Sequence, residues 1–177
     1  LILLMLKSSN TVKKRVQAMK ARLVKDCKDQ IPKNCRLMGL DLGSKTIGVA
    51  VSDPMQSIAT PVTTINRTKF SKDILALGKL IKELEIGGYI LGWPLNMDGT
   101  EGPRCDVTRS FADEMTKHPE IFGKNPFIAL QDERLSTQAV DDFLDNTVNM
   151  HRKNRKNVID KLAAQVILQG ALDSFQE

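Results

Sequence analysis

From Arg36 onward, apolar residues fall into short runs separated by turn formers, and the spacing changes from two to about three and a half along the chain. Residues 38–53, MGLDLGSKTIGVAVSD, read as a strand ending at Asp41, a tight Gly43-Ser44 turn and a second strand through Ile47, Val49 and Val51. Asp53-Pro54 ends that strand, and residues 58–65 predict a third, which Pro61 places at an edge or a bulge. Three consecutive strands imply an antiparallel meander. Helical spacing then takes over in Ile74, Leu77, Leu80, Ile81 and Leu84, predicting a helix over 71–86 capped by Ser71 and stopped by Gly87-Gly88.

A short apolar run at 89–91 feeds Gly92-Trp93-Pro94 and a turn-rich loop over 95–103. Val107, Phe111 and Met115 place an apolar stripe on a helix over 104–117. Residues 127–130 predict a buried strand that delivers Asp132, Glu133 and Arg134, and Ser136 caps a helix carrying Ala139, Val140, Phe143 and Leu144. A meander followed by alternating helices and strands implies one α/β domain with a mixed sheet covered by helices.

The last helix, residues 158–175, carries polar residues at Lys161, Gln165, Gln169 and Asp173, one every fourth position, in an otherwise apolar or small body. Such a narrow stripe implies a mostly buried helix. Asp160 lies about 100° off it, on the line continued by Ala164 and Leu168, which is the packed side. A charge favoured by the helix dipole is the alternative role for this acid. Asp41 and the Asp132-Glu133 pair stand at strand carboxyl ends, where sheets of this kind bind ligands. Three carboxylates converging there repel one another unless cations neutralise them, which points to a hard divalent metal, Mg²⁺ or Mn²⁺.

Length changes this picture little: 177 residues make one domain. Charge changes it more. The net +5 is concentrated in residues 1–35, where nine Lys and Arg face two Asp, so the remainder is mildly acidic. Any nucleic-acid site must therefore be a local patch. Cys27, Cys35 and Cys105 form neither a metal spacing nor a paired framework, which predicts a reducing, cytoplasmic setting, and His118 and His151 read as surface residues. LILLML is too short to span a bilayer, so no membrane association is expected. The basic residues 1–35 read as a flexible extension, with a nucleic-acid-binding arm as the alternative, followed by the folded domain at 36–177.

GLDLGSKTIGVAVSD, GWPLNMDGTEGP, DERLST and the IDKLAAQVIL helix, in this order and spacing, resemble the YqgF-type proteins. These are the pre-16S rRNA nuclease group, also described as Holliday junction resolvase-like. The resemblance covers residues 37–172 and implies a ribonuclease H-like fold with a five-stranded mixed sheet. It makes Asp41 the first-strand acid, Asp160 the acid of the final helix, and Glu133, with Asp132 adjacent, the third acid. Strand alternation sends Asp132 and Glu133 to opposite faces, which favours Glu133 as the direct metal ligand.

The activity implied is metal-assisted phosphodiester hydrolysis with Asp41 bridging two ions. Substrate contacts are expected from Lys45, from Arg134, and from a loop at 151–157 carrying Arg152, Lys153, Arg155 and Lys156, for which a solvated charge run is the plain alternative. Asn96 and Thr100 either position phosphate or shape their turn. The expected partner is nucleic acid: precursor rRNA first, with ribosomal-subunit association, and structured DNA second. Junction cutting would require a homodimer, whereas rRNA maturation is open to a monomer. Two other function classes compete: an RNA-binding assembly or transcription factor that does not cut, and a kinase-like phosphate loop, which needs a second lobe.

Overall fold

The computed structural model describes residues 21–134 and 152–177, with backbone alone for 152–154. Among the described residues one sheet runs in the order β1-β6-β5-β2-β3-β4. Its strands are β1 (Ala21–Leu23), β2 (Arg36–Leu42), β3 (Thr46–Ser52), β4 (Ala59–Asn66), β5 (Ile86–Trp93) and β6 (Ile128–Asp132). The helices are α1 (Phe70–Glu83), α2 (Pro103–Thr116), the short α3 (Pro119–Phe122) and α4 (Arg152–Phe175). β2, β3 and β4 form the expected antiparallel meander, and β5 joins β2 in parallel, followed by β6. The register shift between Val49 and Ala50, opposite Pro61, is the bulge that proline demands on an edge strand.

The strand count is six rather than five. The sixth is β1, from the basic leader, which pairs in parallel with β6 through Ala21↔Ile128, Arg22↔Ala129 and Leu23↔Leu130. Val24 and Cys27, just beyond it, are buried in the core. Residues 21–35 thus belong to the folded body; lysine density hid a three-residue apolar edge too short to produce periodicity. Residues 1–20, the rest of the expected extension, lie outside the described residues.

Strand alternation divides the core into two layers. Met38, Leu40, Leu42, Ile47, Val49, Tyr89, Leu91, Ile128 and Leu130 face α1, α2 and α3. Leu37, Ala50, Ile90 and Ala129 face α4, where they meet Ala164, Ile167, Leu168, Ala171 and Leu172. The buried final helix is as the narrow polar stripe requires. The stripe also ties α4 to the start of β4, because Gln169 accepts from the Ala59 backbone N–H (2.8 Å) while Gln165 donates to the Ala59 carbonyl (3.0 Å).

Local details differ from expectation for identifiable reasons. Ser71 does not cap α1; Lys69 holds that position without a side-chain bond, and buried Asp73 reaches back to the Thr68 backbone N–H at 3.0 Å. Gly87-Gly88 do not stop the helix but lie in β5, and Glu85 makes the turn with φ 53°. On α2 Val107 is exposed, and the buried line is Cys105, Thr108, Phe111, Ala112 and Met115. The basic run from Arg152 is the first part of α4 and not a loop. His118 lies at the surface beside Glu120, and the three cysteines are free. His151 and the helix expected after Ser136 lie outside the described residues. No helix among the described residues is long and apolar enough to cross a membrane.

Candidate active site

Asp41 occupies the next-to-last position of β2, in phase with Leu37 and Gly39, so it shares the face that α4 covers. Its cross-strand partner in β3 is Gly48. A Cβ at Gly48 would collide with the backbone carbonyl of Asp160, so the missing side chain is what lets α4 descend onto the sheet here. On the other side, Leu40 pairs with Leu91, and the residues that follow them are Asp41 and Gly92. A Cβ at Gly92 would occupy the place of the Glu133 carboxylate. Two glycines flanking one aspartate therefore admit the other two acids, one from α4 and one from the end of β6.

The electrostatics match this crowding. Burial, then the charges of Glu133 and Asp160, push the Asp41 carboxyl up to about 7, against the opposing pull of the Arg104 guanidinium. Burial also raises Glu133, with Arg104 opposing and Asp132 reinforcing. Asp160 is oriented by the hydroxyl of buried Thr46, which donates to its Oδ2. Among the described residues no three acid, histidine or cysteine side chains stand close enough to hold one ion between them as they are placed.

Asp132 is set apart from this group. It points to the opposite face of the sheet, as alternation predicts, and pairs with Arg134 through Oδ2–Nη2 at 2.6 Å and Oδ2–Nε at 2.8 Å. Burial works to raise its pKa, but the Arg134 hydrogen bonds and charge prevail and hold it below the usual carboxylate value. Arg134 is thereby committed to Asp132. Asn96 and Thr100 are committed to each other at 2.9 Å, and the Thr100 hydroxyl donates to Asp98 at 2.6 Å, so both residues shape the turn.

Two clefts adjoin the acids. One, of about 400 Å³, is bordered by Lys45, Thr46, Arg67, Arg104, Lys156 and Asp160. The other, of about 320 Å³, is bordered by Asn96, Arg104, Glu133 and Arg134. Lys45 and Lys156 are thus brought to the site, and Arg155 lies on the same turn of α4, half-buried. The side chains of Arg152 and Lys153 lie outside the described residues. Sequence reasoning missed Thr46, Arg67 and Arg104. Thr46 had a signal, since it alternates with Gly48 and Ala50 on the small-residue face. Arg67, whose Nη1 donates to the Gly43 carbonyl at 2.6 Å and pins the hairpin turn, had none.

Comparison with known proteins places the chain in a family. A relative from Rhodospirillum centenum named "Putative pre-16S rRNA nuclease" is 49% identical over 159 residues, covering 90% of this chain and 84% of its own length. One of the same name from Ruegeria pomeroyi is 49% identical over 146 residues, covering 82% and 91%. Among solved structures, Thermus thermophilus RuvC in complex with a Holliday junction substrate aligns with TM-score 0.48 and 10% identity, over 79% of this chain and 94% of its own. The family model described as "RuvX: Holliday junction resolvase" matches residues 35–174, and the chain belongs to that family.

Proposed function

We propose that this chain hydrolyses nucleic-acid phosphodiesters with divalent ions held around Asp41, and that its substrate is the 5′ end of precursor 16S rRNA. The observation that carries the reading is the placement of Asp41 between Gly48 and Gly92, which brings acids from three separate segments together on the face that α4 covers. Membership of a resolvase family supports a nuclease, and the relatives' name supports the rRNA substrate. Association with a ribosomal subunit is part of the same reading.

The donor set fits Mg²⁺ or Mn²⁺: the three acids offer carboxylate oxygens alone. Asp41, Glu133 and Asp160 are the residues that would hold the ions. Bound ions would supply a nucleophilic water at neutral pH and countercharge for the leaving oxygen. The residues themselves do the rest. Thr46 fixes the Asp160 carboxylate, Arg67 fixes the Gly43 turn, and Lys45 and Lys156 attract phosphate to an otherwise acidic body.

Junction cleavage is the second reading, favoured by the description of the matching family. The test offers the full chain a precursor 16S rRNA fragment, single-stranded RNA, single-stranded DNA and a four-way junction with Mg²⁺ or Mn²⁺. Cutting of the precursor in preference to the junction is the expected result. Preferential junction cutting with dimeric behaviour would replace it with the second reading. Tight RNA binding with no cutting of any substrate would reduce the chain to a binding factor.

A further inference from the structure

Of the three arginines that border the two clefts, Arg104 differs in how it is held. Arg134 grips Asp132 at 2.6 Å, and Arg67 grips the Gly43 carbonyl at 2.6 Å. Arg104 reaches Glu133 with one contact of 3.9 Å, and its side chain remains 65% exposed while that of Glu133 is 12% exposed. It stands at the second position of α2, after Pro103, and borders both clefts. A single long contact from an exposed arginine is weak and readily exchanged. The planar guanidinium can serve a carboxylate or a phosphate equally well.

We propose that Arg104 is an exchangeable countercation: it shields Glu133 and Asp41 when no divalent ion is bound, and turns to the substrate's phosphate when ions take its place. This rests on the metal-site reading above. In consequence Arg104 acts against ion binding and in favour of nucleic-acid binding. A purely structural role would not give opposite signs.

The test has two arms, both without turnover. Calorimetric titration of Mn²⁺ into the full chain is compared for wild type, Arg104→Ala and Arg104→Lys. Removal of a nearby positive charge tightens Mn²⁺ roughly three- to tenfold, and the lysine variant stays close to wild type. The second arm measures binding of a single-stranded RNA 12-mer by fluorescence anisotropy in EDTA, for wild type, Glu133→Gln, Arg104→Ala and the double variant. Glu133→Gln releases Arg104 and tightens RNA several-fold, and that gain disappears in the double variant. Arg104→Ala alone lowers the salt slope of RNA binding by about 0.7.

Equal Mn²⁺ affinity in wild type and Arg104→Ala would overturn the proposal, as would a Glu133→Gln gain that persists without Arg104. A wild-type chain that binds no Mn²⁺ would sink the metal site itself. The ion-free cycle still decides whether Arg104 exchanges between acid and phosphate.

Discussion

The two faces of the sheet are built on different terms. Toward α1 and α2 the strands present Met38, Leu40, Leu42, Ile47, Val49 and Leu91, and the core is made from bulk. Toward α4 the same strands intersperse Gly39, Gly48, Ala50, Gly92 and Ala129 with Leu37 and Ile90, and the helix answers with Ala164 and Ala171 among Ile167, Leu168 and Leu172. Bulk fills a layer and tolerates rearrangement; small residues set a fixed, close distance between backbones. A crowded, half-buried acid cluster requires that fixed distance. Asp41 lies on the close-packed face by strand alternation alone, and Asp132, one residue before Glu133, lies on the other.

The largest effect on stability expected from breaking this contrast is at Gly48. Gly48→Val forces β3 against the Asp160 carbonyl and is predicted to cost about 3 kcal/mol or more, a drop in Tm of roughly 6–12 °C by calorimetry. Met38→Leu, on the bulky face, costs under about 1.5 kcal/mol. Equal losses at the two positions would remove the distinction between the faces.

The adjacent acids sharpen it next. Glu133→Gln is expected to lower the cleavage rate about 10³-fold, since ion-assisted charge stabilisation is worth several kcal/mol. Asp132→Asn, on the other face and paired with Arg134, changes the rate by roughly threefold or less in single-turnover assays. A reversed order would assign the ligand to Asp132.

The smallest effect is on stability against pH. With the Asp41 carboxyl at about 7 when folded and about 3.9 when unfolded, the native state holds the extra proton between those values. Stability of the ion-free protein therefore rises as pH falls from 8 towards 5. The gain is roughly 2 kcal/mol after allowing for water at this half-buried group, and Asp41→Asn removes it. A Tm in EDTA that is flat with pH in the wild type would count against the crowding of the three acids.

Much of this was legible in the residue pattern. Glycine punctuation and period-two alternation set the meander and the strand carrying Asp41, and the four-residue polar stripe oriented α4 and with it Asp160. Other features were not legible for physical reasons. β1 is three residues long among lysines, so no periodicity marked it. The basic run 152–157 reads as polar loop because its helical identity comes from continuing into buried α4 and not from its own composition. Asn96 donates to the Thr100 hydroxyl and that hydroxyl donates to Asp98, a turn network that residue type cannot reveal. Arg104 reaches Glu133 from the second position of α2, a contact that the sequence pattern does not show.

The central claim is that the close-packed face gathers three acids around Asp41 to hold divalent ions. Calorimetric titration of Mn²⁺ into the full chain at pH 8, where Asp41 is ionised, compared with Asp41→Asn, tests it directly. Saturable Mn²⁺ binding is expected of the wild type, with a loss of at least tenfold in affinity on Asp41→Asn and the Tm of the variant in EDTA undiminished. Mn²⁺ binding of equal affinity and stoichiometry in the two proteins would contradict it.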